Sequence, residues 1–207
     1  MPGRHIDLVH PRRAMEVLYE QNFDAHDEFP PYWAELWPSS VALARAVTAA
    51  DLAGARVLEL GCGLGLPSIA AALGGAHVLA TDRSSDALGF TTYNAALNGT
   101  AVEVDVCSWA EPESVLSRAP WDVVLAADVL YRHSGLADLD TLLPRLVGDT
   151  GQVWLADPAR PPAAAFLEGC TRWAAITEVP SEDPRVTVHR LQRPHPHGVA
   201  PNGAGRG

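Results

Sequence analysis

The sequence predicts a single α/β domain with a mostly parallel, seven-stranded sheet, helices on both faces and an antiparallel hairpin at its end. From residue 56 onward, short apolar runs alternate with helical segments, which is the pattern of β-α-β units. The chain has 207 residues, of which 47% are hydrophobic, which is ample for a single core with a sheet covered on both faces. Only residues 180–184 separate the last two apolar runs, a connection too short for a parallel crossover.

The expected elements follow in a regular order. Pro38 and Ser39 suit the first turn of a helix that extends to about Ala50. We expect strands at 56–60, 77–81, 102–106, 122–127, 152–156, 174–179 and 185–191. We expect later helices at 66–74, 84–97, 111–118, 134–147 and 160–171. The domain is thus predicted over 31–193, after an N-terminal extension (1–30, with a strand or turn near 16–23) and before a disordered tail (194–207).

Charge and composition argue against several classes of function. The formal net charge is −10, which opposes a nucleic-acid substrate, because phosphates demand a basic face. The three cysteines lie far apart without C-x-x-C spacing, so neither a zinc site nor a disulfide framework is indicated. The N-terminus lacks the apolar core of a signal peptide, and no apolar run approaches about 18 residues. We therefore expect a cytoplasmic monomer that binds no metal, membrane or nucleic acid.

The most informative motif is a glycine-rich turn directly after the first predicted strand. Glu59 lies near the end of the strand, and Gly61, Gly63 and Gly65 follow in a G-x-G-x-G pattern. Glycine tolerates positive φ and lets the backbone approach a ligand closely. The spacing differs from the G-x-G-x-x-G that seats a dinucleotide pyrophosphate. Glu59 would repel a phosphate and attract a cationic amino-acid group, so S-adenosylmethionine, which has a sulfonium, an ammonium and no phosphate, fits this turn.

Asp82 completes the predicted cofactor site. It lies about twenty residues after Gly61, at the end of the second strand, where a carboxylate can bind two ribose hydroxyls. Two alternatives stay open at this point. Asp82 could cap the helix that follows, and the glycines could serve only to let strand and helix pack closely.

These motifs resemble the class I, seven-β-strand methyltransferases, which use S-adenosylmethionine and have a Rossmann-like fold. Tyr-Trp-Ala-Glu-Leu-Trp-Pro at 32–38, Trp109 after the third strand and Asp-Val-Leu-Tyr at 128–131 narrow the resemblance. Together they are similar to the small lysine-specific protein methyltransferases, which carry a D-x-x-Y signature after strand four. The 32–38 motif and Asp-Pro-Ala-Arg at 157–160 most resemble the electron-transfer flavoprotein β-subunit lysine methyltransferases and their bacterial relatives.

The resemblance implies a role for each remaining candidate. Trp37, before the helix that covers the cofactor, and Trp109, beside the adenine, would bind S-adenosylmethionine. Asp128 and Tyr131 would be catalytic: the carboxylate would stabilise the positive charge that develops on an attacking amine, and the phenol would wall the pocket and align the lone pair. In the alternative interpretation, Asp128 caps the next helix, Tyr131 packs on the sheet and the tryptophans belong to the core.

The predicted reaction is methyl transfer from S-adenosylmethionine to the ε-amine of a protein lysine. A small amine or a heteroaromatic nitrogen is the alternative acceptor. A cofactor-binding regulator without catalysis is a second alternative. The 157–160 segment could border the substrate entrance, or it could form a proline-rich turn with a surface salt bridge.

Overall fold

The computed structural model describes residues 5–11, 32–131 and 135–194. Its strands are β1 (Arg56–Leu60), β2 (His77–Asp82), β3 (Glu103–Val106), β4 (Trp121–Ala127), β5 (Val147–Asp157), β6 (Ala175–Val179) and β7 (Thr187–Gln192). Its α-helices are α1 (Pro38–Thr48), α2 (Leu66–Leu73), α3 (Ser85–Leu97), α4 (Glu113–Leu116), α5 (Leu136–Leu146) and α6 (Ala163–Cys170), and a 3-10 turn covers Tyr32–Ala34. The strand or turn expected near 16–23 and the tail from 195 lie outside the described residues.

The seven strands form one sheet in the order β3-β2-β1-β4-β5-β7-β6. The first five pair in parallel, and β7 pairs antiparallel with both β5 and β6. The predicted α/β class and the terminal hairpin are therefore confirmed. The chain runs outward from β1 to β3 and then returns to β4 on the other side of β1, and ligands of open α/β sheets bind at such a reversal, beyond the carboxyl ends of the strands.

Helices cover both faces of the sheet, as predicted. One core packs α1, α2 and α3 against the sheet, and the other packs α4, α5 and α6. Successive residues of β1 point to opposite faces, so Val57 joins the first core whereas Leu58 and Leu60 join the second. This explains why the central strands are apolar throughout. Among the described residues, no helix combines the length and the hydrophobicity needed to cross a membrane.

Asn94 of α3 and Asn98, the C-cap of that helix, attach the N-terminal segment 5–11 to the domain. Asn98 exchanges two hydrogen bonds with the backbone of Asp7, at 2.9 and 2.7 Å. Asn94 accepts a hydrogen bond from the Val9 amide at 2.8 Å and donates to the Val9 carbonyl at 3.1 Å. The Asn94 amide also donates to the Leu64 carbonyl at 3.1 Å. Residues 5–11 are thereby linked to the glycine-rich turn.

The expected start of the fifth strand was wrong. The strand begins at Val147, which pairs with Trp121, rather than at residue 152. The ladder then shifts register before Val123 pairs with Gln152. The intervening Gly-Asp-Thr-Gly sequence is typical of a turn, yet here it forms an irregular part of the strand. Gly151 fits there because an added Cβ would lie only 2.7 Å from the Trp121 carbonyl oxygen.

Candidate active site

A cavity of about 610 Å³ lies at the carboxyl ends of β1, β2 and β4, where the strand order reverses. The segment before α1 forms its outer wall. Its sheet side is lined by Gly61–Leu66, Asp82–Ser84, Cys107–Ala110 and Ala127–Val129. The structure therefore brings the predicted glycines together with Trp37, Asp82, Trp109, Asp128 and Tyr131 around one space.

The glycine-rich turn is held by packing as well as by backbone conformation. Gly65 has a φ of +82°, and an added Cβ would lie 2.6 Å from Thr91 Cγ2. Gly63 has a φ of +53°, and its added Cβ would lie 3.1 Å from the Trp33 carbonyl oxygen. The Thr91 hydroxyl also donates a hydrogen bond to the Gly63 carbonyl at 3.0 Å. The glycines of this turn therefore both allow close packing and line the cavity. Thr91, which supports the turn, was not foreseen from the sequence.

We expect Gly65→Ala to lower the free energy of unfolding by about 2 kcal/mol more than Gly99→Ala does. Both glycines have positive φ, at +82° and +70°, but an added Cβ at Gly99 meets nothing within 4 Å. The difference between the variants therefore isolates the clash with Thr91. Urea denaturation of both measures it, and equal losses would contradict the assigned packing.

Glu59 lies beneath the turn and not on the cavity wall. Its side chain is 1% exposed and accepts hydrogen bonds from the Ser68 amide, at 2.9 Å, and from the Ser68 hydroxyl. Gly65, the N-cap of α2, has no side chain to satisfy the free amides of the first helical turn, and Glu59 supplies that acceptor. Burial raises the pKa of Glu59 from 4.5 to about 8. Direct contact of Glu59 with a cofactor stays a prediction.

The raised pKa makes the stability of the protein depend on pH. Folded Glu59 holds its proton between pH 4.5 and about 8, where the unfolded carboxyl has lost it. The free energy of unfolding should therefore fall as pH rises through this range. Glu59→Gln removes this titration, so wild type should lose stability relative to the variant between pH 5 and pH 8. Urea denaturation measures the difference, exposed Glu168→Gln is the control, and parallel pH curves for Glu59→Gln and wild type would contradict the expectation.

Asp82 is a cavity-lining carboxylate held by two backbone amides. Its Oδ2 accepts a hydrogen bond from the Gly63 amide and its Oδ1 one from the Ser84 amide, both at 3.0 Å. Burial raises the pKa of Asp82, while these hydrogen bonds lower it. Ser84 is the residue that caps α3, so the helix does not need Asp82 as its cap. A carboxylate accepts about four hydrogen bonds, which leaves capacity for ligand hydroxyls.

Trp109 lines the cavity beside Gly61 and Gly135. Cβ atoms added to Gly61 and Gly135 would lie 4.0 and 3.5 Å from its ring, so the indole lies close to both glycines. Ser108, which was not foreseen from the sequence, also lines the cavity. The only sequence feature that could have identified Ser108 is its position just after the end of a parallel strand. Asp105, in β3, does not belong to the cavity lining.

Asp128 has a backbone conformation that is rare outside glycine. Its φ is +56°, its amide donates to the Ala156 carbonyl at 2.9 Å, and it is 6% exposed on the cavity wall. Arg160 Nε donates to Asp128 Oδ1 at 2.8 Å, and the Ser39 hydroxyl donates to Oδ2 at 3.4 Å. Neither partner was foreseen from the sequence. Gly135 is the N-cap of α5, so Asp128 does not cap that helix.

Three aromatic residues surround the mouth of the cavity on the Asp128 side. Tyr131 and Tyr32 are 39% and 37% exposed, and their rings meet edge to face at 5.5 Å. Trp37 packs edge-on against Tyr32 at 6.2 Å and donates its indole N–H to the Tyr32 carbonyl. The structure thus places Trp37 beside the candidate catalytic pair. Tyr32 was missed as a site residue, although it stands in the motif that carried the resemblance.

The strand order and the cavity at its reversal define a Rossmann-like methyltransferase fold. A solved TehB-like SAM-dependent methyltransferase from Corynebacterium glutamicum is similar, with a TM-score of 0.62 over 88% of this chain and 95% of that one. The identity is 16%, so this likeness concerns the fold alone. A family model described as lysine methyltransferase matches residues 32–169. The chain belongs to the lysine methyltransferase family.

Two curated relatives show the same similarity in sequence. Protein N-lysine methyltransferase METTL21A from Danio rerio is 38% identical over 125 residues, which are 56% of this chain and 57% of that protein. Electron transfer flavoprotein beta subunit lysine methyltransferase from Xenopus laevis is 36% identical over 137 residues, 63% of this chain and 53% of that protein. The matched regions therefore span little more than half the length of these relatives.

Proposed function

We propose that this protein transfers a methyl group from S-adenosylmethionine to the ε-amine of a lysine in another protein. The observation that carries the proposal is one cavity lined by two buried carboxylates, Asp82 after the glycine-rich turn and Asp128 at the end of β4. The first suits a cofactor and the second an amine. Membership of the lysine methyltransferase family and the names of both curated relatives support a lysine acceptor.

The cavity has the properties that S-adenosylmethionine requires. Its volume of about 610 Å³ is in the usual range for small-molecule sites. Gly61, Gly63 and Gly65 present backbone without side chains, Asp82 retains acceptor capacity for ribose hydroxyls, and Trp109 offers a flat apolar surface for the adenine. When bound, S-adenosylmethionine supplies the methyl group of its sulfonium, and the acceptor nitrogen gains that methyl and the positive charge as the sulfonium becomes a neutral thioether.

Asp128 and Tyr131 are placed to serve the acceptor. Asp128 lines the cavity, and its carboxylate stabilises positive charge as it develops on the attacking nitrogen. The Tyr131 and Tyr32 rings give the mouth an apolar wall, which favours the neutral amine over the ammonium by removing water. The same rings can contact the four-carbon stem of a lysine side chain. Both are more than one-third exposed, so a side chain from another protein can reach them.

The test is incubation of the purified protein with radiolabelled S-adenosylmethionine and a lysate of its own host. We expect label in acid-precipitable material that protease removes and nuclease does not, mapping to lysine. Omission of the enzyme is the control. Label only in the small-molecule fraction would replace the protein acceptor with a small amine or heteroaromatic nitrogen. No enzyme-dependent label in any fraction would support the regulator without catalysis.

A further inference from the structure

Arg160 forms an ion pair with Asp128 from outside the cavity wall. Its Nε lies 2.8 Å from Asp128 Oδ1, and the side chains are 32% and 4% exposed. The guanidinium also stands 5.6 Å from the centre of the Trp37 ring. Asp128 and Trp37 both line the cavity, whereas Arg160 is absent from its lining. Arg160 therefore contacts two wall residues without reaching the space where a substrate would lie.

The loop that carries Arg160 is itself held firmly. The Arg160 amide donates to Asp157 Oδ1 at 2.7 Å, and Asp157, at the end of β5, is 1% exposed. Ala159 has a φ of +60°, a strained conformation for a residue with a side chain. Strained backbone persists where the surroundings determine it, and Arg160 follows directly after this strained residue.

An unpaired carboxylate would be a poor partner for methyl transfer to an amine. It would favour the transition state, in which nitrogen gains positive charge. It would favour the protonated amine as well, and an ammonium has no lone pair for attack. A free lysine has a pKa of about 10.4, so a further increase would leave very little neutral amine near pH 7. The site therefore needs an acidic oxygen near the amine together with little net charge.

We propose that Arg160 is a positioning residue that fixes Asp128 Oδ1 and offsets its charge, so that the carboxylate serves the developing cation without trapping a protonated lysine. This inference rests on the proposed function, because it takes Asp128 as the residue that faces the acceptor. Ser39 Oγ restrains the other oxygen, Oδ2, at 3.4 Å. The pair is close to neutral overall, and its negative member, Asp128, is the one that lines the cavity.

Other charged or titratable groups share this region and stay in place when Arg160 is replaced. The surrounding elements contribute the following groups: Asp157, Tyr32, Glu35, Asp138 and Tyr131, together with Asp82 and Arg83 at the end of β2. Most of them are acidic, so loss of the Arg160 charge leaves the acceptor side more negative. Burial raises the pKa of Asp157, and the Asp128 charge raises it further. The contribution of the Asp128 charge reflects the negative charge that lies close to Asp157.

The test compares two cofactor forms that differ by one methyl group and one positive charge. Calorimetry at pH 8.5 gives the Kd of S-adenosylmethionine, with its cationic sulfonium, and of neutral S-adenosylhomocysteine. We expect Arg160→Gln to increase the preference for the cationic form by about fivefold, because Asp128 is no longer offset. Arg160→Lys retains the charge and should keep the wild-type ratio. Asp128→Asn combined with Arg160→Gln should abolish the increase.

Arg118→Gln is the matched control. Arg118 pairs with Glu103 and stands 5.6 Å from the centre of the Trp121 ring, so it loses the same charge and similar contacts outside the cavity lining. A ratio that stays within twofold of wild type in Arg160→Gln would overturn the proposal. An equal change in Arg118→Gln would also overturn it. If wild type binds neither form, the proposed function itself fails and this inference falls with it.

A second measurement follows from the same charge argument. With the acceptor protein labelled in the lysate, the pH at which kcat reaches half its maximum should move upward by about 0.7 unit in Arg160→Gln, the equivalent of fivefold. A purely structural role would lower kcat at every pH without moving this midpoint. An unmoved midpoint therefore contradicts the proposal, and an upward shift that Arg160→Lys reverses supports it.

Discussion

Asp128→Asn is expected to lower kcat for methyl transfer by a factor of about 100 to 1000, the typical effect of removing one preorganised group that stabilises charge in a transition state. Asn keeps the size of the side chain and can still accept a hydrogen bond from Arg160, but it carries no charge. The variant should bind S-adenosylhomocysteine nearly as well as wild type, because that ligand has no sulfonium charge for Asp128 to meet. Single-turnover kinetics on the lysate acceptor and calorimetry provide the two measurements.

A matched control for this variant is Asp140→Asn. Asp140 in α5 is also an aspartate paired with an arginine, Arg172, and it is absent from the cavity lining. Its replacement should leave kcat within about twofold of wild type. Tyr131→Phe should give a smaller loss than Asp128→Asn, because the ring that walls the cavity remains. Turnover near wild type in both Asp128→Asn and Tyr131→Phe would remove these residues from the mechanism.

The fold could be predicted from the sequence because its signals are local. Apolar runs, glycines after strands and a short final connection each act over fewer than about a dozen residues. The irregular start of β5 could not be predicted in this way, because the Gly-Asp-Thr-Gly sequence before residue 152 is typical of a turn. It became part of the strand because Val147 and Trp121 meet across two elements that are distant in sequence.

The position of Glu59 was available from the sequence in principle. Side chains alternate along a strand, so Glu59 shares a face with Val57 and points to the helices on that side, where Ser68 meets it. The pairing of Asp128 with Arg160 was not available in this way. It depends on two loops that both have positive φ, at Asp128 and Ala159, and on the Trp37 ring from a third element. No local pattern specifies such a meeting.

The second large effect is expected at the cofactor end, where Asp82→Asn should weaken S-adenosylhomocysteine binding about a hundredfold. The variant loses two charge-assisted hydrogen bonds to ribose hydroxyls, each worth about 1.5 kcal/mol or more. In the wild type, the Asp82 carboxylate accepts hydrogen bonds from the Gly63 and Ser84 amides at 3.0 Å. In the variant, the side-chain amide N–H of the introduced asparagine would face one of these two backbone donors. Asp86→Asn, an exposed aspartate four residues further on, removes the same charge and should bind like wild type.

Weaker binding in Asp82→Asn could also arise from damage to the glycine-rich turn, so the ribose contact needs its own measurement. A 2′-deoxy analogue of S-adenosylhomocysteine lacks one of the hydroxyls assigned to Asp82. Wild type should bind this analogue at least about tenfold less tightly than the parent compound, since it loses a hydrogen bond to a charged group. Asp82→Asn should bind both compounds with similar affinity, because the interaction is already absent. Equal discrimination by wild type and variant would show that Asp82 supports the turn through Gly63 and Ser84 without contacting the ribose.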